Sequence, residues 1–383
     1  MKIAILTLQN SNNYGAMFQA YALSTYLRRE GHDVFFINYY QDVPTTFDYL
    51  CKPFAFVGKV LGKGAFSFKF LRGKRIEARG KAVEQGFLEI FDRFRSQYLN
   101  IPAGAVHFAD LSAACPEADS FIVGSDQVWA ADFVFSSPAY LLAFAPPGAR
   151  KISYAASFGK AKLERYLQHT FRKEIKTFQA VSVREKSGVA IVDELAGLGA
   201  VHVVDPTLLI SDYSEILDYS LVPQGEYVFS YRLSQSADLT QWADDAVAAV
   251  ARDMGLPLYS VSTNARGSAD ENVRHLQPTP GQLLGLIEKA HFFVTNSFHG
   301  TVFAINLRTR FLTLARDAAK DKQNLRLEEL LDCADASNNF CAPFLSSDKV
   351  LFKLASPQDF DAMHERLRPR RLTSTEFLNN ALQ

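Results

Sequence analysis

Short apolar runs typical of buried β-strands alternate with helical segments along most of this 383-residue chain. Residues Lys2 to Leu8 predict a strand, Tyr14 to Glu30 a helix that ends at Gly31, and Asp33 to Tyr39 a second strand. A strand, a helix and a parallel strand make a βαβ unit, and repeated units build a doubly wound sheet with helices on both faces. The pattern therefore predicts an α/β fold.

The alternation continues as two series with a polar stretch between them. The first series adds strands at 120–123, 151–155, 180–183 and 201–204 and a helix at 187–197. The second series has strands at 227–231, 257–261, 292–295 and 310–314, helices at 237–254 and 280–290, and a helix that begins near residue 299. The chain is too long for one ordinary core, so we expect two Rossmann-like domains, residues 1–215 and 225–350, with a hinge at 211–225. Ligands of such domains bind at the carboxyl ends of the strands, which predicts a cleft between the domains.

Composition excludes several function classes. Lys and Arg together number 41, as do Asp and Glu, so the overall charge does not indicate a nucleic-acid partner. The four cysteines, Cys51, Cys115, Cys333 and Cys341, are scattered without a zinc-binding spacing, which indicates reduced thiols in a cytoplasmic protein and no metal site. The apolar run at the N-terminus is a first strand rather than a signal peptide, and no run approaches the ~20 residues that span a bilayer.

The turn Thr295-Asn296-Ser297-Phe298-His299-Gly300-Thr301 places an imidazole where a buried strand meets the start of a helix. A helix N-terminus carries unpaired N–H groups and about half a positive charge, so it suits a phosphate or a carboxylate. Beside a bound anion, His299 would keep its proton near neutral pH and could act as a general acid. A histidine that caps a helix in a packed core is the alternative interpretation.

Three further turns follow predicted strands. They are Asn12-Asn13-Tyr14-Gly15-Ala16, then Gly124-Ser125-Asp126-Gln127-Val128-Trp129, and Arg184 after the strand at 180–183. Each has a structural explanation when taken alone: Asn13 could cap a helix, Asp126 could serve the turn, and Arg184 could form a surface ion pair. In combination, an acid, a base, a guanidinium and several helix N-termini indicate a cleft for a small, doubly anionic substrate.

Several of these segments together resemble the polysaccharide pyruvyl transferase family. They are residues 13–16 with 19–23, 124–129, 153–159, 182–185, 205–209 and 297–303, in the order found in the family. The resemblance implies two Rossmann-like domains in a GT-B-like arrangement. It also implies transfer of the pyruvyl group of phosphoenolpyruvate onto two hydroxyls of a sugar or of a lipid-linked oligosaccharide. The products would be a cyclic ketal and phosphate, and no cofactor is expected besides the donor substrate.

The resemblance also implies roles for individual residues. His299 matches the motif histidine and is expected to protonate the methylene carbon of the donor as the general acid. Asp126 would take the proton from the acceptor hydroxyl, and Arg184 would clamp the donor's carboxylate or phosphate. Positive charge would help phosphate to leave, so no metal is expected. Further substrate-binding candidates on the matching segments are Asn13, Tyr14, Gly15, Ser125, Gln127, Trp129, Ser297 and Gly300.

One position departs from the family pattern. Some members carry arginine and leucine directly before the histidine, where this chain has Ser297 and Phe298. A second guanidinium for the donor would then come from Arg316 or Arg326, although either could equally be a solvated helix residue.

Two other functions fit the predicted fold. Two facing Rossmann-like domains also serve glycosyltransferases that use a nucleotide-sugar, which would need a base pocket and an acidic group for ribose. A non-catalytic binding module is the other alternative. Titration with phosphoenolpyruvate and with nucleotide-sugars would separate the two enzymes, and alanine at His299 or Asp126 would leave a binding module intact.

The stretch from Lys52 to Lys81 is strongly basic and rich in phenylalanine, within a basic and aromatic excursion at about 50–100. It could dock on an anionic membrane surface, where each basic residue adds about 1 kcal/mol, and a lipid-linked acceptor would give such docking a purpose. Alternatively, its phenylalanines pack on the first domain while its lysines face water. A nucleic-acid site is a weaker interpretation because no binding module is recognisable.

The C-terminal segment, residues 356–383, predicts two helices, Asp359 to Arg368 and Thr373 to Leu382, separated by Pro369-Arg370-Arg371. We expect them to pack back towards the first domain. The expected buried face consists of Leu372, Phe377, Leu378 and Leu382.

Overall fold

A computed structural model describes residues 1–39, 88–115, 117–130, 137–262, 273–316 and 324–383. These residues form two compact units, the first unit (Met1–His202 with Leu378–Gln383) and the second unit (Val203–Phe377). The basic stretch from Lys52 to Lys81, and with it the membrane-docking interpretation, lies outside the described residues.

The described part of the first unit holds a parallel sheet of six strands in the order β2-β1-β3-β4-β5-β6. The strands are β1 (Lys2–Leu6), β2 (Asp33–Phe36), β3 (Ser120–Val123), β4 (Arg150–Ala156), β5 (Ala180–Val183) and β6 (Val201–His202). Helices cover Tyr14–Arg29, Phe108–Leu111, Ser137–Tyr140, Arg165–Ile175 and Lys186–Ala196, and residues 88–98 are also helical. Because β1 pairs on one side with β2 and on the other with β3, the chain order reverses between β1 and β3.

The second unit contains a parallel sheet in the order β12-β11-β10-β7-β8-β9. Its strands are β7 (Val228–Arg232), β8 (Leu258–Ser262), β9 (Val273–His275), β10 (Phe292–Thr295), β11 (Phe311–Leu314) and β12 (Phe340–Cys341). Its helices are Ala237–Met254, Pro280–Lys289, Phe298–Asn306, Asn324–Cys333 and Ser347–Leu354, with short 3₁₀ turns at Pro206–Leu208 and Ser337–Asn339. The chain order here reverses between β7 and β10.

Buried apolar strands explain why both units form parallel sheets. All four residues of β3, of β10 and of β11 are buried, as expected when helices cover both faces of a sheet. Local signals set the helix ends. Thr279 and Gln282 form a reciprocal capping box at the start of helix Pro280–Lys289. Gly255 ends helix Ala237–Met254 in the left-handed conformation, with a φ of 64°. The predicted α/β class with two Rossmann-like units is confirmed.

The division between the units falls between His202 and Val203, ahead of the hinge expected at 211–225. Side-chain contacts within the second unit explain this position. The Thr207 carbonyl accepts hydrogen bonds from Asn306 Nδ2 at 2.7 Å and from the Tyr213 hydroxyl at 2.9 Å. The segment that follows β6 is therefore part of the second unit rather than a linker.

The prediction of two C-terminal helices is wrong, because one continuous helix runs from Phe360 to Leu382 with Pro369 inside it. Its last residues, from Leu378 onward, group with the first unit, and the rest of the helix groups with the second. Leu378 and Leu382 are buried, as expected, but Leu372 is 53% exposed and does not belong to the buried face. Phe377 is half-buried.

None of the helices in the described residues combines the length and apolarity needed to cross a membrane.

Candidate functional site

The Asp126 turn, residues 124–129, follows β3 at the point where the strand order of the first sheet reverses. Asp126 has a φ of 66°, in the left-handed region that aspartate tolerates better than most residues. Its carbonyl accepts hydrogen bonds from the N–H groups of Val128 at 2.8 Å and Ser157 at 2.9 Å. The backbone is thus fixed by the next strand, while the carboxylate side chain stays 18% exposed. This carboxylate is accessible to a ligand.

Arg184 meets the Asp126 turn from the end of β5. Its Nη2 lies 3.6 Å from Asp126 Oδ1, and its Nε donates to Glu185 Oε1 at 3.2 Å. The same Glu185 oxygen accepts a hydrogen bond from Ser157 Oγ at 2.7 Å. The Arg184 side chain is only 3% exposed, so the guanidinium forms a buried ion pair with two carboxylates and not a surface pair.

The first predicted turn is held by its own side chain. Asn13 Oδ1 accepts the N–H groups of Gly15 at 2.8 Å and Ala16 at 3.3 Å, which is the capping interaction offered above as the alternative. The Tyr14 ring is buried and packs against Phe91 with ring centroids 5.0 Å apart. Substrate contacts of Asn13, Tyr14 and Gly15 stay predictions.

Trp129 lies in the core of the first unit. Its indole N–H donates to the Tyr140 carbonyl at 3.0 Å, and its ring packs against Phe158 and Phe171 with centroids 5.2 Å from each. The side chain is 5% exposed, and its one hydrogen-bond donor is used within the protein. Trp129 therefore fixes the end of the Asp126 turn in the core of the first unit.

Ser125 and Gln127 are tied to neighbouring segments of the first unit. The buried Ser125 offers its carbonyl to Thr7 Oγ1 at 3.1 Å, which links the turn to the end of β1. The Gln127 side chain lies over Gly159, where a Cβ would come within 2.8 Å of Gln127 Nε2. Both residues lie at the edge of the sheet where ligands of this fold bind, and their ligand contacts stay predictions.

The His299 turn, residues 295–301, lies at the equivalent position in the second unit. It follows β10, next to β7, where the strand order reverses. Asn296 joins the two strand ends, because its Nδ2 donates to the Leu233 carbonyl at 3.0 Å and its Oδ1 accepts the Leu233 N–H at 2.7 Å. Such a switch point is where open parallel sheets bind ligands.

Ser297 and Gly300 build the start of the helix that carries His299. Ser297 Oγ accepts the Gly300 N–H at 3.2 Å, so this N–H is used as a cap. A Cβ at Gly300 would lie 2.5 Å from Thr295 Oγ1, which itself donates to the Tyr231 carbonyl at 2.6 Å. Glycine is required here for close approach of the helix to β10.

His299 faces a buried carboxylate that the sequence analysis did not assign to the site. Its Nε2 lies 3.5 Å from Asp205 Oδ2, and the Asp205 side chain is completely buried. Asp205 Oδ1 accepts hydrogen bonds from the Thr207 N–H at 3.0 Å and the Thr207 hydroxyl at 2.7 Å. The His299 side chain is 13% exposed. The signal that could have found Asp205 is the Asp-Pro-Thr sequence after β6, which lies in one of the segments that resemble the family. That sequence does not indicate which residue Asp205 contacts.

The two arginine candidates of the second unit are not solvated helix residues. Arg326 is buried on helix Asn324–Cys333, and Arg316 is half-buried two residues after the end of β11. Burial raises the pKa of the Tyr231 phenol, while the positive charge of Arg316 and a hydrogen bond with Ser297 oppose that rise. Arg316 therefore lies close enough to Tyr231, beside the His299 turn, to act on it electrostatically.

The structure thus brings Asp126 and Arg184 together in the first unit and places His299 with Asp205 in the second. The expected meeting of Asp126, Arg184 and His299 in one cleft stays a prediction. Among the residues that the structure describes, no group of three or more His, Cys, Asp or Glu side chains could hold a metal ion.

The sequence matches the model of one family, polysaccharide pyruvyl transferase, over residues 13–318, which is most of the chain. The chain belongs to the polysaccharide pyruvyl transferase family. The match includes the Asp126 turn and the His299 turn, together with Arg184, Asp205 and Arg316. No curated protein is significantly similar in sequence.

Several solved structures have a similar fold. A putative UDP-N-acetylglucosamine 2-epimerase from Listeria monocytogenes is 10% identical, with a TM-score of 0.55 over 99% of this chain and 94% of its own. Arabidopsis thaliana UGT89C1, solved in complex with UDP-L-rhamnose, is also 10% identical, with a TM-score of 0.52 over 100% of this chain and 98% of its own. At such low identity the likeness shows the fold alone, which is that of GT-B proteins with two Rossmann-like units.

Proposed function

We propose that this pyruvyl transferase moves the pyruvyl group of phosphoenolpyruvate onto two hydroxyls of one sugar. The sugar belongs to a polysaccharide or to its lipid-linked precursor. The observation that carries the proposal is the family match over residues 13–318, which includes an imidazole and a carboxylate at the ligand-binding edges of two parallel sheets. The products are a cyclic ketal and inorganic phosphate.

Local charge supports a division of roles between the two units. In the first unit, the charges of Asp126, Arg184 and Glu185 add to one net negative charge, which repels a donor that carries phosphate and carboxylate groups. In the second unit, Arg316 and Arg326 supply positive charge near the His299 turn and on the adjacent helix. We therefore assign the donor to the second unit and the acceptor hydroxyls to the first.

This division changes the role proposed for Arg184. Its guanidinium already meets two carboxylates, so we assign it to holding Asp126 in position rather than to clamping the donor. The donor's phosphate and carboxylate are then bound by Arg316 and Arg326, whose planar guanidinium groups suit both anions.

In the proposed reaction, His299 and Asp126 each transfer one proton. The imidazolium of His299 donates its proton to the methylene carbon of the donor, where the C=C electron pair forms the new C–H bond. The first sugar hydroxyl adds to the resulting cationic carbon and loses its proton to Asp126. The C–O bond to phosphate then breaks, the second hydroxyl closes the ketal ring, and its proton leaves with the phosphate. We propose that arginine charge, rather than a metal, stabilises the departing phosphate.

The test measures phosphate release by the full-length protein from phosphoenolpyruvate with free, polymeric and lipid-linked sugar acceptors. We expect turnover with one acceptor class, and a roughly 10²–10⁴-fold loss of kcat in His299→Gln and in Asp126→Asn. His291→Gln is the matched control, since the His291 side chain belongs to the same unit, is 33% exposed, and places its Nδ1 2.9 Å from Glu226 Oε1. Its turnover should match that of the wild type.

Two results would overturn the proposal. One is full turnover in His299→Gln. The other is phosphate release from no acceptor combined with consumption of a nucleotide-sugar, which would assign the protein to the glycosyltransferases that share this fold.

A further inference from the structure

The Asp205 carboxylate faces the edge of the His299 ring that carries Nε2. The 3.5 Å separation between Asp205 Oδ2 and His299 Nε2 is longer than a typical hydrogen bond. Active-site hydrogen bonds are often long in ligand-free structures and tighten when substrate binds. Among the described residues, the buried His299 Nε2 forms no hydrogen bond. A buried imidazole nitrogen without a hydrogen bond costs free energy, and a shorter contact with Asp205 would remove that cost.

The carboxylate itself is rigidly held. Both hydrogen bonds to its Oδ1 come from Thr207, through the N–H and the hydroxyl, and the side chain has no exposed surface. Thr207 is in turn fixed to the helix that carries His299, because its carbonyl accepts Asn306 Nδ2 at 2.7 Å. Asp205 and His299 are therefore set against each other by one continuous set of contacts within the second unit.

We propose that Asp205 is the positioning residue of His299 and that Nδ1 is the nitrogen that delivers the proton to the donor. This inference rests on the proposed pyruvyl transfer. With Nε2–H directed at Asp205, the imidazolium gives up the Nδ1 proton and becomes a neutral ring that keeps its Nε2 proton. A ring turned by 180° would place a C–H group against the carboxylate, which fixes the orientation chemically.

The substitution Asp205→Asn tests the inference because it keeps the hydrogen bonds from Thr207 and reverses the direction of the hydrogen bond with His299. The asparagine carbonyl oxygen can still accept the two Thr207 donors, while its amide N–H₂ group now faces His299 Nε2. Nε2 must then accept a hydrogen bond, and the neutral ring carries its proton on Nδ1. Loss of that proton would leave an imidazolate, which is far too unstable to form. We expect kcat to fall roughly 10²–10⁴-fold, with the KM for phosphoenolpyruvate nearly unchanged.

Asp212→Asn is the matched control for a purely structural effect. Asp212 also accepts a backbone N–H in a turn of the second unit, from Ser214 at 2.9 Å, and it is exposed. We expect this variant to keep the wild-type kcat and to lose no more stability to urea than Asp205→Asn does.

The second readout does not depend on turnover. ¹⁵N NMR of selectively labelled histidine, with the His299 signal assigned from its absence in His299→Gln, reports which ring nitrogen carries the proton above neutral pH. We expect the Nε2–H form in the wild type and the Nδ1–H form in Asp205→Asn. An Nδ1–H form in the wild type, or wild-type kcat in a folded Asp205→Asn, would overturn the inference. Failure of the wild type to release phosphate would overturn the proposed function and leave the tautomer result to decide the geometry by itself.

Discussion

At Gly124, where β3 ends and the Asp126 turn begins, the backbone leaves no room for a side chain. A Cβ there would lie 2.2 Å from the Tyr154 carbonyl oxygen, and the φ of 110° is strained for any residue with a side chain. The neighbouring atom belongs to the backbone of β4, so it cannot move aside without disturbing the sheet. Gly124 thus fixes the direction of the chain between the end of β3 and Asp126.

We therefore predict that Gly124→Ala lowers the free energy of unfolding by about 2–4 kcal/mol through combined strain and overpacking. Gly199→Ala is the matched control, since a Cβ at Gly199 meets no atom within 4 Å. Urea denaturation of both variants provides the measurement. Equal stability of the two variants would show that β4 adapts to a side chain at this position.

The sequence predicted the positions of some candidate-site residues but not all of their contacts. Asp126 and His299 each follow an apolar strand, so the local pattern alone places them at a sheet edge. The pairing of His299 with Asp205 could not be predicted, because the two residues are 94 positions apart and meet only when the segment after β6 packs against the helix that carries His299. Local periodicity contains no information on such distant contacts.

Among the elements, those with a clear apolar pattern and clear end signals were predicted best. The helix Ala237–Met254 and the strands β3, β5 and β10 have the bounds expected from apolar runs and end signals. The edge strands β9 and β12 were not predicted. β12 has two residues and β9 has three, too few for a periodic pattern.

The last helix continues through Pro369 because contacts hold it on both sides of the proline. His364 Nε2 donates to the Ile305 carbonyl at 3.1 Å, and Arg371 donates to His364 Nδ1 at 3.2 Å and to Asn306 Oδ1 at 3.3 Å. These contacts fasten the helix to the end of helix Phe298–Asn306. The proline signal in the sequence is local and was overridden by tertiary contacts.

The same contacts predict an acid-sensitive step in stability. Burial lowers the pKa of His364 below its ordinary value of 6.5, and the positive charge of Arg371 lowers it further. The folded state then binds fewer protons than the unfolded state, so the stabilisation is complete above about pH 6.5 and is lost as the pH falls through the lowered value. A proton on Nδ1 would also break the hydrogen bond from Arg371.

We predict that His364→Gln loses less stability than the wild type when the pH drops from about 7.5 to about 5. Urea denaturation followed through Trp242, in a Trp129→Phe background, reports on the second unit. His291→Gln, which alters a half-buried histidine of the same unit, should respond to pH as the wild type does. Identical acid responses of His364→Gln and the wild type would contradict the assignment.

At the scale of the whole molecule, the last helix belongs to both units, with the residues from Leu378 onward grouped with the first. Leu378 is fully buried, and two hydrogen bonds fix the segment: Tyr26 to Asn379 at 3.5 Å and Arg150 to the Ala381 carbonyl at 3.3 Å. The segment from Leu378 to Gln383 is therefore a structural component of the first unit, although the 175 residues from Val203 to Phe377 separate it from the rest of that unit. Removal of its buried side chain should weaken the first unit selectively.

The chain allows this selectivity to be measured, because its two tryptophans, Trp129 and Trp242, lie in different units. We predict that Leu378→Ala destabilises the first unit by about 2–5 kcal/mol, the usual cost of such a cavity. The unfolding transition seen through Trp129 in a Trp242→Phe background should shift to lower urea, while that seen through Trp242 should stay in place. Leu372→Ala, on the same helix but 53% exposed, should shift neither transition. Equal shifts of both tryptophan signals in Leu378→Ala would show instead that the two units unfold as one cooperative body, since a local cavity then destabilises the whole chain.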